Sequence, residues 1–140
     1  MPVKIPDSHL DLIAGPVSVA LTTVMPDGQP QSSLVWCDYD GTHIRVNTTR
    51  ERQKGKNLQA NPKVSLLVID LHDAGRWIEV RGEAEITEDG ALEHLDEITR
   101  LYTSKPCYYG HIFPEEQKQK ETRIICRIKP NKVNCDAIHS

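Results

Sequence analysis

Aromatic residues are scarce in this 140-residue chain, which holds two Trp, four Tyr and one Phe. Val, Ile and Leu must therefore fill most of any core, and Trp36 and Trp77 stand out as large rings in an aliphatic interior. No run of about 18 apolar residues occurs, which excludes a membrane-spanning helix. The opening residues, Met1-Pro2-Val3-Lys4-Ile5-Pro6, lack the apolar stretch of a secretory signal, so the expected location is cytoplasmic. A net charge of −3 is too mild to recruit nucleic acid or an anionic membrane. Four cysteines (37, 107, 126 and 135) include no C-x-x-C pair and are expected as free thiols. Six histidines (9, 43, 72, 94, 111 and 139) show no H-x-x-x-H or H-x-H spacing, so no metal site is expected.

What is there suffices for one globular domain over residues 1–140, with 38% apolar and 26% charged residues. A chain of this length buries roughly 65–70% of its unfolded surface. Ser8 is placed to cap a short helix with Leu10, Leu12 and Ile13 on its apolar side, stopped at Gly15-Pro16. Val17 to Val24 predicts a strand, Pro26-Asp27-Gly28 a turn, and Pro30 to Tyr39 a second strand. Asp40-Gly41 is a hairpin signal, and Ile44, Val46 and Thr48 alternate as a third strand.

Residues 49–60 predict a short helix ending before Asn61-Pro62. Val64 to Ile69 is a nearly continuous apolar run, the pattern of a strand buried on both faces. Trp77 to Ile86 alternates as a long strand. Residues 87–102 turn helical, with Leu92, Leu95, Ile98 and Leu101 at three-residue steps. Residues 104–121 read as a polar loop with an aromatic cluster of Tyr108, Tyr109 and Phe113. Ile124 to Ile128 and Val133 supply a closing strand pair broken at Pro130-Asn131. About six strands without β-α-β alternation predict a mainly β fold, a closed antiparallel barrel with flanking helices.

Two segments carry chemistry. Arg50, Arg52, Lys54 and Lys56 stand against Glu51, a local charge of about +3 in a net acidic chain. With Thr48 or Thr49 as cap, these cations sit at the positive end of the helix, where each mismatch costs roughly 0.3–1 kcal/mol. An anion resolves the conflict, because a phosphate there meets backbone N–H groups, threonine hydroxyls and basic side chains together. A solvated basic face is the competing reading. The second segment is Gln31-Ser32-Ser33-Leu34-Val35-Trp36, with three small polar residues on a strand otherwise reading as core. These residues can offer donors and acceptors to a planar heterocycle, with Trp36 as one wall. A strand with one exposed face and a packing tryptophan is the plainer alternative.

In order and spacing these segments resemble the pyridoxamine 5′-phosphate oxidase-like flavin-binding split-barrel superfamily, most of all its coenzyme F420-dependent branch. The matching words are Asp27-Gly28-Gln29-Pro30-Gln31, Val35 to Gly41, Arg50 to Leu58, Asn61-Pro62 and Trp77 to Gly82. They span residues 6–103, with a weaker echo from Arg123 to Val133. The resemblance implies a six-stranded antiparallel split β-barrel, paired as a homodimer with the cofactor site between subunits. By position, Lys54 matches the family's phosphate-binding lysine and Arg52 the polar or basic position just before it. Asn47, Thr48 and Thr49 lie where strand and turn groups approach the ribityl chain and phosphate. Val35 and Trp36 border the ring, and Gln31, Ser33 and Asn57 complete the cofactor-binding candidates. Ser33 stands where FMN-using oxidases of the superfamily commonly carry an arginine, which moves the expectation away from vitamin B6 oxidation.

The implied function is an F420-dependent oxidoreductase moving a hydride between the deazaflavin and a small-molecule organic acceptor. An FMN-dependent oxidase or reductase is the alternative, as is a non-catalytic flavin-, haem- or bilin-binding protein. No catalytic residue is assigned. Tyr108, Tyr109 and His111 are candidates for a lid, an ordinary mobile loop being the other reading.

Overall fold

The computed structural model describes residues 3–136; Met1, Pro2 and residues 137–140, His139 among them, lie outside the described residues. Its strands are β1 (Val19–Val24), β2 (Pro30–Val35), β3 (Cys37–Tyr39), β4 (Ile44–Thr49), β5 (Lys63–Asp70), β6 (Asp73–Thr87) and β7 (Arg123–Cys135). Helices α1 (Leu10–Ile13), α2 (Gln53–Ala60) and α3 (Ala91–Tyr102) flank them, with 3-10 turns at Asp7–His9 and Glu115–Gln119. The strands make one antiparallel sheet in the order β2-β1-β5-β6-β7-β4-β3.

That order contains the closure of the barrel. β2 and β3 lie at opposite ends of the sheet, yet only Trp36 separates them in the chain. The sheet must curl until its two edges meet at Trp36, so the barrel closes through the chain and not through a hydrogen-bonded ladder. The strand expected from Pro30 to Tyr39 is therefore two strands, giving seven where six were expected. The architecture is the mainly β split barrel.

β-Branched and aliphatic residues at period two fill the inner face: Val19 and Leu21, Ile44 and Val46, Leu66 and Val68, Ile78 and Val80, Ile124 and Ile128. Ile5, Leu12 and Ile13 from the N-terminal segment and Leu58 from α2 pack onto the same core. β5 departs from expectation. Val64, Leu66 and Val68 are buried, but Leu67 and Ile69 are 38% and 43% exposed. The apolar run is a one-sided strand whose outer face is also apolar. Ala20 pairs with Leu34 on one side and Leu67 on the other, so an apolar row crosses β2, β1 and β5 on the outside.

The expected break at Pro130 is a bulge within one long strand. Gly82 pairs with Pro130 and Arg81 with Lys132, leaving Asn131 as the extra residue. A bulge spares Pro130 from donating to the ladder. α3 starts at Ala91, later than expected, because β6 continues through Thr87. Its buried stripe is Ala91, His94, Leu95 and Ile98, while Leu92 and Leu101 are exposed. Three-residue steps drift about 60° per step around a helix, so four leucine-type positions so spaced cannot share one face. Ser8 caps nothing; its hydroxyl meets His9 Nδ1 at 2.8 Å. Among the described residues no helix is long and apolar enough to cross a membrane.

Candidate functional site

The end of β4, the start of α2 and the start of β7 converge on the outer side of the barrel, next to the seam at Trp36. Thr49 shapes this corner. Its hydroxyl accepts the Arg52 N–H at 3.1 Å, so the chain bends through residues 50–52 before α2 begins at Gln53. Gly55 lets the helix settle against the strand, since a Cβ there would stand 1.9 Å from the Thr49 carbonyl oxygen. Arg52 and Lys54 then project beside a cavity of about 220 Å³.

Arg123, the first residue of β7, completes the charge. It is 6% exposed, and its Nε–H donates to Asn47 Oδ1 at 2.9 Å. Arg52, Lys54 and Arg123 all line the cavity. One carboxylate serves the two arginines: Glu121 lies 3.3 Å from Arg52 Nη2 and 3.6 Å from Arg123 Nη1. Glu121 is also engaged by the Tyr109 hydroxyl at 2.6 Å, and burial with that bond pushes the phenol up to about 12. Arg123 Nη1 is buried and has no hydrogen-bond partner. Lys54 makes no ion pair among the described residues, and burial followed by Arg52 and Arg123 holds its amine below the usual lysine value. A cluster like this, with an orphaned buried donor, has unmet capacity for an anion.

The other walls are apolar and aromatic. Leu95 and Ile98 of α3 face Leu34, Val35 and Trp36 across the cavity. Trp36 is held by stacking on Tyr102, with ring centroids 5.2 Å apart and planes 15° apart. The Tyr102 hydroxyl donates to the Val17 carbonyl at 2.7 Å and accepts the Cys37 N–H at 3.1 Å, clamping the seam. Tyr108 closes the top, its ring 5.2 Å from the Arg123 guanidinium carbon. The turn that carries it is built: its N–H bonds Asp96 Oδ1 at 3.1 Å and its carbonyl accepts the Ile112 N–H at 2.8 Å. A planar, anionic ligand fits these walls: cations at one end, rings and aliphatic groups at the other.

Five of the ten expected residues, Val35, Trp36, Asn47, Arg52 and Lys54, line this cavity together. The other five do not. Gln31 Oε1 accepts the Thr23 hydroxyl, and Asn57, 1% exposed, donates to Thr23 Oγ1 and Met25 Sδ. Thr49 is spent on the Arg52 N–H. Thr48 shares the inward period of Ile44 and Val46, and its hydroxyl, like that of Ser33, is buried without a partner. Arg123 was not expected in the site, while Tyr108, a candidate for a lid, lines it. The signal for Arg123 is an arginine opening the otherwise apolar run Ile124-Ile125-Cys126. His111 does not line the cavity; its neighbour Ile112 does.

Comparison with known proteins agrees with the fold. The pattern of the pyridoxamine 5′-phosphate oxidase family matches residues 5–134. A pyridoxine/pyridoxamine 5′-phosphate oxidase of Mycolicibacterium paratuberculosis is 33% identical, over 61% of this chain and 41% of that protein. The chain thus spans about two fifths of the length of that curated relative. Among solved structures, an F420 reductase superposes with a TM-score of 0.77 at 30% identity, covering 93% of this chain and 98% of the other. A conserved hypothetical protein of Mycobacterium tuberculosis does so with a TM-score of 0.71 at 27% identity, covering 96% and 85%. By its pattern, its barrel and its relatives, the chain belongs to the pyridoxamine 5′-phosphate oxidase family.

Proposed function

We propose that the cavity binds the phosphate end of a flavin-type cofactor, foremost the deazaflavin F420, and that the protein is an F420-dependent oxidoreductase. The observation that carries this reading is the cluster of Arg52, Lys54 and Arg123, in which Glu121 meets the two arginines alone and Arg123 Nη1 lacks a hydrogen-bond partner. These three residues would hold the phosphate. Trp36, Val35 and the aliphatic face of α3 would border the ring, with Tyr108 over it. When bound, such a cofactor supplies hydride chemistry, and the protein's part is to orient the ring and exclude water from it. F420 is preferred over FMN because an F420 reductase aligns over nearly the whole chain. The second reading is an FMN-dependent oxidase or reductase, and the name of the mycobacterial relative suggests a pyridoxine- or pyridoxamine-phosphate substrate for it.

The reading includes a homodimer. A cavity of about 220 Å³ is smaller than the ~300 Å³ at which ligand pockets usually begin. Leu34 lines it while 73% exposed, and the apolar row through Leu34, Ala20 and Leu67 continues outward from it. A second copy seated on that row would cover the leucines and finish the cavity wall. A cytoplasmic setting is part of the same reading, supported by four cysteines present as free thiols.

Fluorescence titration of the purified protein with F420 and FMN side by side tests the assignment. Saturable micromolar or tighter binding of F420 alone is the expected result, with reduction of an organic acceptor in a following screen. Preference for FMN promotes the second reading. Tight binding without turnover of any acceptor makes the protein a carrier, and binding of neither removes both cofactors.

A further inference from the structure

Behind Arg123 runs a chain of buried polar groups that the cofactor reading does not use. Asn47 of β4 accepts the Arg123 Nε–H on its Oδ1 at 2.9 Å. Its amide nitrogen donates to the Ala91 carbonyl at 2.8 Å and lies 3.1 Å from His94 Nδ1. His94, 2% exposed on α3, places Nε2 at 3.3 Å from Asp38 Oδ1 of β3. Asp38 in turn takes two bonds from Arg45 of β4, at 2.8 and 2.7 Å.

The donor and acceptor types fix the proton. A guanidinium can only donate and a carbonyl can only accept, so Arg123 and Ala91 together dictate which way the Asn47 amide points. The amide therefore presents N–H to His94 Nδ1, which must be a bare lone pair. The imidazole is neutral, with its proton on Nε2 facing Asp38. A second proton on Nδ1 would set N–H against N–H. Turning the Asn47 amide to relieve that contact would strand the Ala91 carbonyl and present an N–H to Arg123. Either way the support under Arg123 is lost.

We propose that His94 is a positioning residue for the anion site: its neutral ring holds Asn47, and through Asn47 the Arg123 guanidinium, over the cavity. Loss of the Nδ1 acceptor releases Asn47, withdraws Arg123 and weakens phosphate binding. This rests on the proposal that the cavity takes a phosphorylated cofactor.

The test pairs spectra of the ligand-free protein with binding. Long-range proton–nitrogen spectra should find the His94 proton on Nε2 and a bare Nδ1. The Arg123 Nε–H signal is assigned by its loss in Arg123→Lys. In His94→Asn the side-chain oxygen replaces Nδ1 as acceptor, so the Arg123 signal should stay at its native position. In His94→Phe, which keeps a ring and loses the acceptor, it should be displaced.

Titrations with FMN and with F420 should show about tenfold weaker binding in His94→Phe than in the native protein and near-native binding in His94→Asn. A proton on Nδ1, native affinity in His94→Phe, or an Arg123 signal indifferent to His94 overturns the proposal. Native protein that binds neither probe while the spectra behave as described removes the cofactor reading and upholds the positioning of Arg123.

Discussion

Two arginine-rich corners of this barrel are built from the same chemistry to opposite ends. At one corner Arg76 is saturated: it pairs with Asp11, reaches Asp70 Oδ2 at 2.9 Å and donates to the Ser8 carbonyl at 2.6 Å. Two carboxylates and a carbonyl serve one cation there, and the result ties the N-terminal segment to the turn between β5 and β6. At the other corner Arg52 and Arg123 share Glu121, and Lys54 beside them has no ion-pair partner among the described residues. Balanced charge fastens a fold; unbalanced, half-buried charge waits for a ligand. The difference lies in the ratio of partners, which no count of basic residues records.

The comparison can be broken most forcefully through Gly55. Replacing it with Ala drives a Cβ into the Thr49 carbonyl, so Gly55→Ala should cost about 3 kcal/mol in a urea melt and abolish cofactor binding. A stable variant with native affinity would show that the close seat of α2 on β4 is unnecessary. Lys54→Met comes next and should weaken F420 binding by roughly 1.5–3 kcal/mol, the range for a charged hydrogen bond. Leu34→Asp should follow at about tenfold in affinity, with a monomer's mass in light scattering. The single subunit should be nearly as stable, within ~0.5 kcal/mol, because the side chain is exposed there.

Arg76→Ala should do the reverse of Lys54→Met, lowering the melting temperature a little and leaving cofactor affinity untouched. Last and smallest is an effect of acid. Burial alone would raise the Asp38 carboxyl, but hydrogen bonds from His94 and Arg45 outweigh it and hold the group below the usual carboxylate value. Its contribution is present above about pH 4 and lost as the pH falls through the depressed value. Asp38→Asn should therefore flatten the loss of stability on the acid side of pH 4. An unchanged acid limb would show that Asp38 does not govern it.

The barrel was legible because its core strands alternate at period two and its turns carry Asp-Gly signals. The break at Trp36 was not, because nothing local distinguishes a residue within a strand from one that hands the chain from one sheet edge to the other. The run Val64 to Ile69 misled for a related reason: a strand with an apolar outer face reads the same as one buried twice. Arg52 and Lys54 could be found in sequence because their excess charge is local. Arg123 stands out in sequence only as an arginine opening an apolar run and could not be placed in the site, since its neighbours Arg52, Lys54 and Asn47 are about 70 residues away and the β4–β7 pairing brings them together. Asn57 and Gln31 drew attention as polar residues near the right segments, and the fold uses their amides to satisfy Thr23.

The most direct test of the unbalanced corner is thermal unfolding of the native protein and of Lys54→Met, each with and without saturating F420. Burial and two neighbouring cations disfavour the charged Lys54 amine, so its removal should raise the melting temperature of the ligand-free protein. Binding at a hundred times the dissociation constant stabilises by about 2.7 kcal/mol, which the native protein should register as a rise of several degrees and Lys54→Met should largely lack. A Lys54→Met protein that melts earlier than the native one and still responds fully to F420 would contradict the account, since Lys54 would then be fastening the fold as Arg76 does.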